Sequence, residues 1–196
     1  GFLMQNCQWI IIDGTGDAGS TYGFQITGAT TDKGVLIERR SKHIVAFNME
    51  VANHNDLGFV VHTTDNDGSY DYGDDPVGTP SSFSGANAWT DEDYLIYNIY
   101  SHDGGASAFY LANNHAKRDD VPDCDGFIGH DLIADDSGST GLNLKTMLNG
   151  EFYDVTCTDN GHGLNPSFQN NFRLGVGFSG SVHDSTGVDN DGDVIN

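Results

Sequence analysis

Basic residues are scarce in this chain. Its 196 residues include 8 Lys plus Arg against 29 Asp plus Glu, which gives a formal net charge of −21 at pH 7. A field of this sign repels nucleic acid and anionic membrane surfaces, so neither is expected as a partner. Two explanations of the acidity stay open, and they are compatible: solubility in a salty setting, and carboxylates clustered to bind a hard cation such as Ca²⁺.

Long apolar runs and cysteines are also few. No run of 18 apolar residues is present, so no membrane span is expected, and no signal-peptide pattern opens the chain. Cys7, Cys124 and Cys157 fit no zinc spacing and allow at most one disulfide, and Cys157 is expected to be buried as a small apolar residue. A length of 196 residues suits one domain over 1–196. The chain opens at Gly1 without an initiator methionine, so we expect it to be processed or an excerpt of a larger chain.

A short strand unit recurs along the chain: a small residue, then an apolar residue, any residue and a second apolar residue. Copies begin at Gly23, Gly58, Ala108, Gly141 and, more weakly, Gly163. Alternation with a period of two sends the apolar pairs to one interior face. These pairs are Phe24/Ile26, Phe59/Val61, Phe109/Leu111 and Leu142/Leu144.

A second ladder of strands accompanies the first. Its strands begin at Phe47, Tyr97, His130, Tyr153 and Phe178, and each is followed by a polar corner. The corners are Asn53, Asp103, Asp136, Asp159 and Asp184. Two strands and a corner that return together describe one turn of a solenoid, whose rungs need their neighbours to bury the apolar face. A β-sandwich is the competing fold, but its strands pair antiparallel and do not repeat in this order.

The rungs His43–Val51 and Tyr94–Asp103 resemble those of the right-handed parallel β-helix repeat family. The opening segment Asn6–Gly14 is similar to a rung of its secreted bacterial members, and the resemblance covers roughly residues 6–188. It implies an all-β, right-handed parallel β-helix of about five to six rungs in an extracellular, carbohydrate-associated protein. The family includes lyases, hydrolases, epimerases, adhesins and phage tailspikes, so the fold does not fix an activity.

Two insertions, residues 63–91 and 112–124, follow strands of consecutive rungs and are expected to rise side by side from one edge. With them, the outward residues of the first ladder would line a groove able to hold a polymer. Those outward residues are Gln25, Val60, His62, Tyr110, Asn143, Lys145 and Asn165.

The resemblance extends to uronate lyases of this fold, in which Ca²⁺ neutralises the sugar carboxylate while a Lys or Arg removes the adjacent proton. That chemistry would make Lys145 the base, with His62 and Tyr110 as acid or positioning groups. The alternative is that Lys145 is an ordinary solvated strand residue.

Calcium ligands are predicted from two short acidic segments. They comprise Asp65 and Asp67 in the first insertion and Asp189, Asp191 and Asp193 near the end of the sequence. The second segment looks like a Ca²⁺ loop without its twelfth-position glutamate. Acidic surface turns are the alternative for both.

A different set is partly similar to the polygalacturonase family: Asp103, then Asp135-Asp136, then Gly161-His162-Gly163. Asp103 and Asp136 would be the paired carboxylates of an inverting hydrolase. The Asn-Thr-Asp context and the downstream Arg-x-Lys of that family are absent, and His162 falls out of register. Capping of tight turns is the alternative role of these aspartates.

The sequence therefore predicts an extracellular β-helix module with a structural, adhesive or carbohydrate-binding role. The alternatives are a Ca²⁺-assisted polysaccharide lyase or epimerase, and a glycoside hydrolase, so enzyme status stays open. The expected partners are a polysaccharide, or neighbouring domains or subunits that stack on open helix ends.

Overall fold

The computed structural model describes residues 1–5, 7–16, 21–29, 33–38, 41–62, 91–112, 124–145, 147–162, 170–175, 178–188 and 193–195. These residues form fifteen strands and no helix. The strands are β1 (Phe2–Gln5), β2 (Gln8–Asp13), β3 (Phe24–Thr27), β4 (Val35–Glu38), β5 (Lys42–Ala52), β6 (Phe59–His62), β7 (Asp91–Gly104), β8 (Phe109–Leu111), β9 (Cys124–Ser137), β10 (Thr140–Leu144), β11 (Met147–Thr158), β12 (Asn170–Leu174), β13 (Phe178–His183), β14 (Thr186–Val188) and β15 (Asp193–Ile195). No membrane-spanning helix is found in this part of the chain.

The strands form two sheets, and every pair of neighbouring strands in them is parallel. Sheet A has the order β1-β4-β6-β8-β10-β12-β15, and sheet B has the order β13-β11-β9-β7-β5-β2, with β3 also paired to β5 and β14 to β11. From β4 to β13 successive strands alternate between the sheets, and each of β5 to β13 pairs with the strand two places before it. The all-β prediction and the parallel arrangement are confirmed.

Residues with positive φ recur every five positions in the long strands of sheet B. In β7 they are Asp93, Asn98 and Asp103, and equivalent triplets lie in or directly after β5, β9 and β11. These residues align from strand to strand into three columns. Asn and Asp predominate because their short polar side chains tolerate this conformation better than other side chains. Each such residue bends its strand and resets the alternation of inward and outward side chains.

The core lies between the inner faces of the two sheets. On sheet A the predicted interior pairs of β6, β8 and β10 are all fully buried and all belong to the hydrophobic core, whereas Val60, which is equally buried, does not, as the alternation predicts. On sheet B an aromatic stack runs through the interior, with Phe127 5.2 Å from Tyr94 and 5.5 Å from Phe152 between ring centroids. Stacked rings and aliphatic pairs thus repeat at the strand spacing along the molecule.

One predicted ladder position is wrong. The strand at Phe24 pairs with β5 in sheet B, and the sheet A position belongs to β4, where Val35 pairs with Phe59. Gly23 and Gly34 both precede an apolar–any–apolar triplet, so the sequence pattern alone does not distinguish the two strands. The weak copy at Gly163 lies outside the described residues, and the strand that follows β10 in sheet A is β12.

The last rung of the second ladder is also shifted from its prediction. His183, rather than Phe178, is the register partner of Tyr153. Asp184 therefore belongs to the column of Asp154 and not to that of Asp159. The sequence pattern selected Phe178 because it is aromatic, whereas register in a parallel sheet is set by the whole strand.

All three cysteines are free, so the single disulfide that the sequence allowed is not formed. Cys157 is fully buried, as predicted, and burial raises the pKa of its thiol. Cys124 begins β9 and is buried as well. These thiols act as small apolar core residues.

Candidate functional site

The outer face of sheet A carries a row of polar side chains. Tyr110 of β8 and Arg173 of β12 are the register partners of Asn143 in β10. Lys145 follows β10, two residues after Asn143, so alternation places it on the same face. The structure therefore brings together Lys145 and Tyr110, which the lyase interpretation requires. We refer to these four residues as the Lys145 cluster.

Lys145 is buried although it faces away from the core. The residue is 3% exposed, and its Nζ lies 5.6 Å from the centroid of the Tyr110 ring. Burial, followed by repulsion from the Arg173 cation, lowers the pKa of Lys145 to about 8. The alternative of an ordinary solvated lysine does not describe this environment.

Asn143 lies beside Lys145 and is almost as buried, at 4% exposure. Its Oδ1 has no hydrogen-bond donor within the described residues. A buried acceptor in this state costs about 1–3 kcal/mol, which a bound donor would recover. Asn143 and Lys145 form the floor of the cluster, while Tyr110 and Arg173 are partly exposed and form its rim.

The positive charge of the cluster is unusual for this protein. The other two basic side chains that the structure describes face carboxylates, with Lys33 Nζ 3.9 Å from Asp56 and Lys42 Nζ 3.5 Å from Glu92. Lys145 instead has an arginine as its charged neighbour. Lys145 and Arg173 are thus close enough to repel each other in a chain whose net charge is −21.

His62 ends β6, at the same end of the sheet A strands as Lys145. Val61 pairs with Leu111, and Leu111 pairs with Leu144, so the backbones of His62 and Lys145 are level, with β8 between them. Two strand spacings separate these backbones by about 10 Å. The side chain of His62 is outside the described part of the structure, and so are residues 63–90 and 113–123, which hold most of both insertions.

The calcium prediction falls largely on residues that the structure does not describe. Asp65, Asp67, Asp189 and Asp191 lie there, and only the backbone of Asp193 is described, in β15. Within the described ranges, no three His, Cys, Asp or Glu side chains form a group that could hold a metal ion. Calcium binding stays a prediction.

Asp103 and Asp136 lie next to each other in one of the positive-φ columns of sheet B. Their φ values are 52° and 46°. His102 Nδ1 lies 2.8 Å from Asp103 Oδ2, and His162 Nε2 lies 3.9 Å from Asp136 Oδ1. The structure thus brings His162 to Asp136, although the sequence placed it out of register. The backbone conformation by itself accounts for aspartate at both positions.

Substitution of Asp136 separates this backbone role from catalysis. We expect Asp136→Asn to leave the free energy of unfolding within about 0.5 kcal/mol of wild type, and Asp136→Val to lower it by about 1–2 kcal/mol because a β-branched residue is strained at positive φ. Urea denaturation measures both. Loss of a glycosidase activity in a stable Asp136→Asn protein would instead establish a catalytic carboxylate.

A hydrogen-bond network that the sequence pattern did not indicate lies on the outer face of sheet B. Asp135 accepts from Tyr100 OH at 3.1 Å and from Thr158 Oγ1 at 2.6 Å, which links β7, β9 and β11. Burial, together with the Asp135 charge, raises the pKa of Tyr100 to about 12. Glu50 similarly joins Gln25 to His102, at 2.7 and 3.1 Å. Both carboxylates have both oxygens engaged, so the network cross-links strands.

An aromatic ladder also crosses the outer face of sheet B. Its rings stack at centroid distances of 4.7 to 5.5 Å with interplanar angles of 5° to 12°. Its members are Phe47, Tyr97, His130, Tyr153 and His183. Because interior rings of the stack have neighbours on both faces, they do not offer flat platforms to a sugar. A signal was present in the sequence, since each ring directly precedes an Asn or Asp of one positive-φ column.

No protein-family model, curated protein or solved structure matches this chain.

Proposed function

We propose that this chain is an extracellular module with a right-handed parallel β-helix fold that binds a polysaccharide across the outer face of sheet A. The fold assignment is supported by the alternation of successive strands between two parallel sheets. Antiparallel sandwiches do not follow such a path. A stack of strands offers a regular surface along its length, which suits an extended polymer.

The observation that carries the binding role is the burial of Lys145 and Asn143 on the outer face of sheet A. Burying Lys145 at 3% exposure beside Arg173 lowers the stability of the fold. The buried Oδ1 of Asn143 lowers it further, because it has no hydrogen-bond donor within the described residues. Perturbed, destabilising polar groups of this kind concentrate at functional sites. In the hydrogen-bond network of sheet B, in contrast, both carboxylate oxygens of Asp135 and of Glu50 have partners on neighbouring strands.

A polysaccharide panel tests the proposal. Purified protein is titrated with neutral and acidic polymers, with and without added Ca²⁺, and binding is followed by calorimetry. We expect at least one polymer to bind the wild type and to bind Lys145→Met at least about tenfold more weakly. Lys42→Met is the matched control, since Lys42 faces Glu92 on another surface.

Absence of binding across the panel by folded protein would contradict this function. The structural or adhesive role would then be the better account. Equal losses in Lys145→Met and Lys42→Met would show that the Lys145 cluster is not the binding site.

A polysaccharide lyase is the second candidate, favoured by the lowered pKa of Lys145. An amine with a pKa of about 8 is partly unprotonated near neutral pH, so Lys145 could remove a proton next to a sugar carboxylate. Tyr110, 5.6 Å from Nζ, would be a positioning or acid group. In the same incubations, absorbance of unsaturated uronate that disappears in Lys145→Met would establish the lyase; binding without absorbance would leave a binding module.

A further inference from the structure

His54 is the one histidine of the described residues that is buried, at 2% exposure. It follows Asn53, the positive-φ residue directly after β5, where the chain turns from sheet B towards β6 of sheet A. We refer to residues 53–58 as the His54 corner. The residues at the same place in the following rungs are Gly104, Ser137 and Asn160. None of these three ionises near neutral pH, so His54 is the one titratable side chain of the set.

Two glycines make room for the His54 ring. A Cβ atom at Gly104 would collide with the imidazole, and a Cβ atom at Gly58 would collide with Ser101 Oγ and with His54 Nε2. The ring therefore extends from its own rung into the space that a side chain of the next rung would fill. In a close-packed interior such a ring has little room to move or to admit water.

The hydrogen bonds of His54 favour its neutral form. Nδ1 lies 3.2 Å from the Asp56 carbonyl oxygen, which can only accept, so Nδ1 carries the hydrogen. Nε2 faces Ser101 Oγ at 3.5 Å, and Ser101 donates its own hydrogen to Ala108 O at 3.0 Å. A proton added at Nε2 would have only this distant oxygen as an acceptor among the described residues.

The charges around the His54 corner do not compensate for its burial. Burial lowers the pKa of His54, and His102 lowers it further, whereas the hydrogen bond to Asp56 and the charge of Asp103 raise it by less. Asp103 Oδ2 is itself 2.8 Å from His102 Nδ1, and Asp56 Oδ2 lies 3.9 Å from Lys33 Nζ. Both neighbouring carboxylates thus face other basic groups, and the environment as a whole opposes an imidazolium.

We infer that the His54 corner is an acid-sensitive joint of the fold, which loosens from the next rung when His54 takes up a proton. Three backbone hydrogen bonds hold the joint closed, from the amides of Gly58, Gly105 and Ala106 to the carbonyl oxygens of Ser107, His54 and Asp56. A charged imidazole gains water only by leaving its enclosed position, and these hydrogen bonds break when it does.

The pH dependence of the joint has a definite sign. Because the folded pKa of His54 lies below its ordinary value of 6.5, the corner has its full stability above about pH 6.5 and loses stability as the pH falls from there through the folded pKa. The exposed His183 acts in the opposite direction, since its hydrogen bond to Asp184 raises its pKa. Global unfolding combines both contributions, so a local measurement is needed to isolate the joint.

Amide hydrogen exchange at pH 7.5 and 5.0, corrected for intrinsic exchange rates, measures the opening of the joint. We expect the protection of the Gly58, Gly105 and Ala106 amides to fall about tenfold at pH 5.0. The amide of Gly161 is the internal control, because it donates to Ser137 O in a corner that has Asn160 in place of a buried histidine. Its protection should change by less than about threefold.

Two variants assign the effect to His54. His54→Asn keeps a donor near Asp56 O and cannot be protonated, so its corner amides should have the same protection at both pH values. His43→Asn is the matched control, since His43 lies at positive φ, where asparagine is well tolerated, and its Nδ1 is 2.9 Å from Asp93 Oδ2. This control should retain the pH dependence of the wild type.

A measurement on the wild type alone covers the case in which His54→Asn does not fold. The histidine ring resonances are followed by NMR across the same pH range, and His54 should titrate below 6.5 and below His183. A His54 resonance that titrates at or above 6.5 would overturn the inference. So would corner amides that change no more than Gly161 does, or an undiminished pH dependence in folded His54→Asn.

Discussion

Replacing Lys145 with methionine is expected to raise the free energy of unfolding at pH 7 by about 1–3 kcal/mol. The pKa of Lys145 falls from 10.5 to about 8 in the folded protein, because burial and Arg173 oppose its charge. Each pKa unit corresponds to about 1.4 kcal/mol of destabilisation of the charged form. Methionine keeps an unbranched apolar chain against Tyr110 and removes the charge.

The pH dependence of this effect has a fixed sign. Below pH 8 the lysine is protonated in both states, so the folded protein carries the whole penalty. Between about pH 8 and 10.5 the folded lysine loses its proton first, so the advantage of Lys145→Met shrinks and disappears above that window. Urea denaturation of both proteins at pH 7, 8.5 and 10 measures the difference in their free energies of unfolding.

Lys42→Met is the control for stability as well as for binding. The Lys42 side chain is 23% exposed and faces Glu92, so its removal should change stability by less than about 1 kcal/mol, in the destabilising direction. A Lys145→Met protein less stable than wild type at pH 7 would contradict the environment assigned to Lys145. Gain of stability with loss of binding is the pattern expected of a functional residue.

Phe127→Ala is expected to lower the free energy of unfolding by about 3–5 kcal/mol. Phe127 is fully buried and stacks between Tyr94 and Phe152, so truncation leaves a cavity in a column that joins three rungs. Stacked neighbours repeat at the strand spacing and have little freedom to collapse into the space. Urea denaturation gives the change.

Ile128, the residue after Phe127, supplies the matched comparison. Ile128 points to the outer face of sheet B and is 37% exposed, so Ile128→Ala should cost about 1 kcal/mol or less. Similar losses for Phe127→Ala and Ile128→Ala would contradict the assignment of the two side chains to opposite faces.

The candidate site was only partly predictable. Alternation placed Tyr110, Asn143 and Lys145 on one outward row, and their strands were recognised correctly. Arg173 was missed because the strand after β10 was sought at Gly163, whereas β12 begins at Asn170. Burial of Lys145 was not predicted, since an outward position in a strand pattern is normally solvated.

By itself, the sequence determined the strands from β5 to β11, the faces of Phe59, Phe109 and Leu142, and four of the five polar corners, because each follows from local alternation or from local φ preferences. Only the tertiary structure decided which strands are neighbours. Backbone hydrogen bonding in a parallel sheet is nearly independent of side-chain identity, and insertions make the spacing of rungs unequal, so the pattern admitted both β3 and β4 in sheet A. The pairing of β10 with β12 placed Arg173 beside Asn143, close enough to Lys145 to lower the pKa of that lysine.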